Sequence, residues 1–184
     1  MSSHVSQICY ATRDVEATAR AFAAIDGVGP FFVGEFEHRD VTFRNRKIGT
    51  LPVKVAFGYR NDMQYELIEP LHRENAFFSD MLRDRREAFH HSYESSTEDF
   101  DALIERYAAS SEMVVYAGFV GPGARFAFVD ATNRLGHFIE LLETARLQDE
   151  GSNAILRAYE RMREESRRWD GERPVRSIGE VLES

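Results

Sequence analysis

The chain has 184 residues, 43% of them apolar and 29% charged, which suits one compact domain or two small modules sharing a core. Its formal charge of −8 excludes the basic footprint that non-specific nucleic-acid binding needs. A single cysteine, Cys9, rules out an internal disulfide, and no run approaches the roughly 20 apolar residues that cross a bilayer. With no basic segment followed by an apolar run at the N-terminus, no secretory signal is expected, and the expected setting is cytoplasmic.

Residues 4–12 alternate as a strand, sending Gln7, Cys9 and Ala11 to one face and Ile8, Tyr10 and Thr12 to the other. Asp14 can cap a helix whose apolar residues are Val15, Ala19, Phe22 and Ala23. GVGPFF (Gly27 to Phe32) ends that helix and starts a strand, and residues 40–46 and 52–59 pattern as further strands. Asn61 to Met63 turns into the strand YELIE (Tyr65 to Glu69), which Pro70 ends. Asn75 to Arg86 carries a helical pattern and reads as a linker. A second series then opens with HHSYES (His90 to Ser95), followed by a helix with Thr97 as N-cap and Phe100, Leu103, Ile104 and Tyr107 on its buried stripe. Strands at 113–119, 125–130 and 137–143 complete it, the last carrying IELLE (Ile139 to Glu143). Residues 152–169 form a charged helix with Ile155, Tyr159, Met162 and Trp169 down one side, packing on the body or a second subunit, or lying as a lid over a site. The last fifteen residues read as a loose tail or subunit arm. The resulting division is 1–70, a linker at 71–88, 89–145, and a C-terminal helix and tail at 146–184.

The two series repeat one order, strand, helix, then three strands, and their strings match: QICYAT against HHSYES, YELIE against IELLE. Overlaid, Gln7 falls on His90, Cys9 on Ser92 and Tyr10 on Tyr93, and the equivalent positions supply Gln7, Glu66, His90 and Glu140. Two carboxylates, an imidazole and an amide oxygen can hold a divalent cation with positions left open. Small residues beside them, Cys9, Ala11 and Ser92, leave room for it. Singly, a strand glutamate faces solvent and a lone histidine is a surface or hydrogen-bonded residue; the repetition is what favours a site. His91, adjacent to His90, points the other way on a regular strand and shares its role only through a bulge. His4 falls on the opposite face from Gln7. Glu94 shares the face of His90 and could support a ligand from behind or shuttle protons. Lys54 and Arg125 could meet a substrate anion, although a surface position explains both.

The strings QICYATRDVEA, GVGPFF, YELIEPL, FHHSYES with DFDAL, and FVDATNRLGHFIELLE resemble the vicinal oxygen chelate superfamily, which includes glyoxalase I, bleomycin-resistance proteins, methylmalonyl-CoA epimerase and extradiol dioxygenases. The resemblance covers about residues 4–145. It implies an α+β fold of two βαβββ modules forming a cup-shaped mixed sheet, here with a C-terminal helical extension. It also implies one divalent metal per chain (Zn, Ni, Co, Mn or Fe) held by Gln7, Glu66, His90 and Glu140, the glutamine-first order being similar to some glyoxalase I enzymes. Many relatives have two histidines followed by an apolar residue, with the second binding metal; Ser92 follows here, which keeps His91 in play. The turn from His90 to Asp99 is two residues longer than that from Gln7 to Asp14.

The implied activity is that of a lyase, isomerase or epimerase that removes a proton next to a carbonyl and stabilises a metal-bound enolate, with Glu140 and Glu66 as catalytic groups. The expected partner is a small molecule with carbonyl or vicinal oxygens, and a homodimer is expected because a sheet edge needs covering. The rival reading is a metal-free binding protein of the bleomycin-resistance kind, its cavity lined by Phe31, Phe32, Phe57, Phe126 and Phe128, although aromatics at strand spacing also form cores. An extradiol-type dioxygenase is the weaker alternative, since it wants two histidines and one carboxylate.

Overall fold

The alternation in HVSQICYAT produces β1 (His4–Thr12), and Asp14 then starts α1 (Val15–Asp26) by accepting from the Ala17 amide at 3.0 Å. A computed structural model describes residues 4–72, 75–95, 99–110, 113–121, 123–143 and 153–182. Gly27 ends α1 at φ 63°, a left-handed conformation that glycine adopts without strain. Three antiparallel strands follow: β2 (Phe31–Phe43), β3 (Arg46–Arg60) and β4 (Met63–Pro70). The strand expected after Pro30 and the one expected at 40–46 are a single strand, β2. An irregularity between His38 and Val41, with Asp40 at φ 49°, interrupts its pattern and makes it read as two.

The linker is helical only over α2 (Ala76–Ser79) and a 3₁₀ turn at Asp80–Leu82, shorter than the expected 75–86. Its consecutive Phe77 and Phe78 are both buried in the interior, whereas a long surface helix would bury one stripe and expose the rest. The second series comprises β5 (Glu87–Ser95), α3 (Phe100–Ala109), β6 (Met113–Val120), β7 (Ala124–Asp130) and β8 (Phe138–Leu142), with a one-turn α4 (Thr132–Leu135) before β8. Asp99 caps α3, accepting from the Asp101 amide at 2.9 Å; Thr97, the expected cap, lies outside the described residues.

Both series use one topology. The sheet order is β3-β4-β1-β5-β8-β7-β6-β2, with β1 parallel to β4 and β5 parallel to β8, and β2 also pairs with β3. The antiparallel pairs β1–β5 and β2–β6 join the two halves, so these eight strands close into a ring within one chain. Closure pairs the strand edges of the two halves within the chain.

Alternation along each strand divides the core in two. Outward, Ala56 and Leu67 pack under α1, and Ala127, Val129 and Leu141 pack under α3. Inward, Cys9, Ala11, Val53, Val55, Phe57, Tyr59, Phe126 and Phe128 share one cluster with Phe77 and Phe78. Of the expected cavity residues, Phe32, Phe57, Phe126 and Phe128 belong to this interior cluster and Phe31 to the layer under α1; all five are buried in packing.

The C-terminal segment completes the interior. Ala158 and Met162 of α5 (Asn153–Arg168) are buried against β3, and Tyr159 packs edge-on to Phe57 with centroids 5.3 Å apart. The Trp169 ring lies against Gly29, where an added Cβ would come within 3.0 Å of it. The expected loose tail is instead β9 (Val175–Ser177), paired parallel to the start of β2, and α6 (Gly179–Leu182), anchored by buried Val181.

Phe77 stacks on Tyr116 with centroids 4.3 Å apart and meets Phe43, Phe128 and His90. Phe77→Ala should therefore cost about 3–5 kcal/mol in urea unfolding; a loss below about 1 kcal/mol would mean that the linker does not plug the ring.

Candidate metal centre

Four neighbouring strands, β4, β1, β5 and β8, carry the residues of interest. Cys9 stands directly beside Glu66 on β4 and beside His91 on β5, and Tyr93 stands beside Glu140 on β8. Gln7 lies two residues before Cys9 on the same face, buried, across from Gln64 and Tyr93. Nε2 of His91 is 3.2 Å from Oε2 of Glu66 and 3.3 Å from Oε2 of Glu140. One imidazole therefore bridges a carboxylate from each half of the ring.

The expected histidine was His90, and the structure puts His91 there instead. Cys9 pairs with His91 while Tyr10 pairs with Phe89, so His90 is an extra residue on β5. This bulge turns both imidazoles into the interior, where each is fully buried, although a regular strand would separate them. His90 sits among Phe77, Phe78 and Phe138, with ring centroids 4.6–5.0 Å away. The register also corrects the overlay of the two series. Glu66 pairs with Cys9 and Glu140 pairs with Tyr93, so matching the glutamates matches Cys9 to Tyr93 and Gln7 to His91. The bulge moved the alignment by one residue.

His90 sets the tautomer of His91. The two Nδ1 atoms are 2.9 Å apart, and Nε2 of His90 is 3.4 Å from the Phe77 carbonyl oxygen. Burial and the neighbouring His91 hold His90 well below the usual histidine range, so it is neutral. A neutral His90 that donates from Nε2 to Phe77 has a bare Nδ1, and His91 must then donate its own Nδ1–H to it. The Nε2 of His91 is left to face the carboxylates. Despite their proximity, neither carboxylate is aligned for a hydrogen bond, and this buried nitrogen has no hydrogen-bond partner.

Burial alone would lower His91, but Glu140 and Glu66 outweigh it and lift the imidazole to about 9. Burial raises Glu140, with Glu66 adding and His91 opposing. Burial also pushes the Cys9 thiol well up, helped by the Glu66 carboxylate it faces. The phenol of Tyr159 is raised by burial first and then by Glu66, which places α5 over the part of the ring where Phe57 pairs with Glu66. The helix thus packs on the body and covers the carboxylates at once.

The other singled-out residues have local roles. Lys54 pairs with Glu16 at 3.0 Å, and Arg125 forks onto Asp101 and Glu143. The side chains of His4 and Glu94 lie outside the described residues. Cys9 was read only as a small neighbour, yet its sulfur, a Glu66 oxygen and a His91 nitrogen all lie within 4.8 Å of one another. Alternation already placed it on the face of Gln7; what could not be read was the register that sets it between two ligand-type residues.

This is the architecture of a duplicated strand–helix–strand fold with a polar centre where its two halves meet. The chain belongs to the glyoxalase/bleomycin resistance protein/dioxygenase superfamily, whose family model matches residues 6–128. Comparison with curated protein sequences gives no match. Among solved structures, a hypothetical protein from Bacillus halodurans aligns with a TM-score of 0.56 and 17% identity, over 77% of this chain and 94% of its own. Methylmalonyl-CoA epimerase from Mycobacterium tuberculosis aligns with a TM-score of 0.52 and 16% identity, over 75% and 85%. A methylmalonyl-CoA epimerase in complex with methylmalonyl-CoA and NH4+ gives 0.53 and 22%, over 76% and 93%. These are likenesses of fold. No helix among the described residues is long and apolar enough to cross a membrane.

The residues present fit a divalent cation: two carboxylates face a buried imidazole nitrogen that has no hydrogen-bond partner and whose tautomer is set from behind. With metal stripped by a chelator, a proton on His91 must do the bridging. Its raised pKa means that the folded chain keeps a proton which the unfolded chain has lost between about pH 6.5 and 9. Stability of the metal-free protein should thus be greatest below that window and fall by up to about 3 kcal/mol as pH climbs through it. Urea unfolding at several pH values should show this slope, and His91→Gln should flatten it; an equal slope in both proteins would remove His91 from the charge bridge.

Proposed function

We propose that this chain is a metal-dependent isomerase or epimerase, or a lyase of the same chemistry, that moves a proton on carbon next to a carbonyl. The observation that carries this reading is the convergence of Glu66 and Glu140, one from each half of the ring, on a single imidazole nitrogen 3.2 and 3.3 Å away. Glu66, His91 and Glu140 would hold the metal, with Gln7 nearby on β1. Bound there, a divalent cation would polarise a carbonyl or vicinal oxygen of the substrate and make the adjacent C–H more acidic.

The protein's own part is proton handling. Glu140 has its proton affinity raised by burial, which suits a group that must both accept and return a proton. Glu66 faces it from the other half and serves the opposite side of the reacting carbon. The side chains are 11% and 16% exposed for Glu66 and Glu140, so both reach the edge of the interior where a small molecule can meet them. Tyr159, reaching over from α5, keeps bulk water from that edge.

The metal-free binding alternative has less support, because the rings that would line its cavity are packed against one another and against Phe77 and Phe78. The fold likeness to methylmalonyl-CoA epimerases makes methylmalonyl-CoA a reasonable first probe. Metal-loaded protein in D2O should exchange the hydrogen on the carbon between the two carbonyls of this probe, or of a related acyl thioester, faster than buffer does. Glu140→Gln and Glu66→Gln should each slow exchange by about 10²-fold or more with the circular dichroism unchanged. Full exchange in both variants removes this mechanism, and protein that binds no divalent metal returns the reading to the binding alternative.

A further inference from the structure

We infer that Cys9 is itself a ligand of this centre, its thiolate joining Glu66 and His91 on a thiophilic divalent cation such as Zn2+ or Co2+. The inference rests on the metal-centre reading and narrows it. Glu66, Cys9 and His91 form one row across three adjacent strands, β4, β1 and β5, with Cys9 in the middle. Their nearest ligand atoms lie within 4.8 Å of one another, and ligands around a tetrahedral zinc stand about 3.5 Å apart, so small side-chain rotations suffice.

A second observation points the same way. Nε2 of His91 is fully buried and faces this row, held there only by its contacts with the Glu66 and Glu140 oxygens at 3.2 and 3.3 Å, so a cation would take the place of its proton among these groups. A buried cysteine is more commonly a small apolar filler, and Cys9 does touch the interior cluster. Its lateral neighbours on both sides, however, are a carboxylate and an imidazole, both groups of metal-ligand type. Any cation drawn to Glu66 and His91 meets the sulfur as well.

On binding, the S–H bond breaks, its proton leaves to solvent past Glu66, and the sulfur lone pair goes to the cation; no oxidant is involved. A thiolate ligand favours Zn2+ and Co2+ over Mn2+ and Mg2+. Cys9 is the only cysteine in the chain, so any thiolate-to-metal signal must come from it.

The test is the ultraviolet–visible spectrum of the full chain loaded with Co2+, with bound cobalt measured by elemental analysis. A sulfur-to-cobalt charge-transfer band in the near ultraviolet is expected, lost in Cys9→Ser and Cys9→Ala. Cys9→Ala should also narrow the preference for Zn2+ over Mn2+ in competition binding. Stoichiometric cobalt without the band overturns the thiolate assignment and leaves the carboxylate–imidazole centre standing. Failure to bind cobalt, zinc or nickel overturns both. Because the wild-type spectrum alone decides the first question, a variant that fails to fold does not obscure the answer.

Discussion

Two carboxylates brought together inside a protein repel each other and lose their water, and the arrangement holds only if positive charge stands between them. Glu66 and Glu140 meet this constraint through His91, which is lifted to about 9 and bridges them. Much of the architecture serves that contact. The pair β1–β5 brings the two halves edge to edge, the bulge at His90 turns His91 inward, and His90 ties the imidazole from behind. In the proposed metal centre a proton and a divalent cation would be alternative occupants of the same electrostatic hole, so metal uptake would be linked to proton release.

The closed ring creates a second problem, which the extra segments solve. Eight strands enclose space that side chains must fill, and residues from outside the strands join that interior cluster. The linker inserts Phe77 and Phe78, and α5 adds Ala158 and Met162 from beyond the second series. Because Tyr159 is carried on the same face of α5, filling the ring and covering the carboxylates are one packing event. Burying Met162 alone is worth about 1.5–3 kcal/mol, so lifting the helix to admit a large substrate would carry a real cost.

Much of this was legible in the residues, and where legibility ended has physical causes. The repeated order of elements was readable because alternation, Asp14, Gly27 and Pro70 are local signals. That Glu66 and Glu140 occupy equivalent strand positions was readable because YELIE and IELLE are nearly the same string at the end of each series. The histidine was not, since a bulge is set by pairing with β1 and leaves no local mark in FHHSYES. The same shift hid Cys9, whose importance lies in what stands beside it across two strand boundaries. The linker and tail went astray for a related reason: Phe77, Phe78 and Val181 are placed by a cavity that exists only once the ring has closed.

The position of His90 also bears on the chemistry. Non-haem iron oxygenases of the two-histidine type gather two imidazoles and one carboxylate on one face of the metal. Here a second imidazole is adjacent in sequence and buried in the same interior, yet it is not available. Its Nδ1 is committed to His91, its Nε2 lies by the Phe77 carbonyl, and aromatic rings close around it. To reach a metal between the carboxylates, His90 would have to give up the contact that orients His91. That leaves one imidazole and two carboxylates, a set rich in groups that take and return protons. This set suits the proposed proton transfer at carbon better than oxygen activation, and the commitment of His90 follows from one inserted residue in β5.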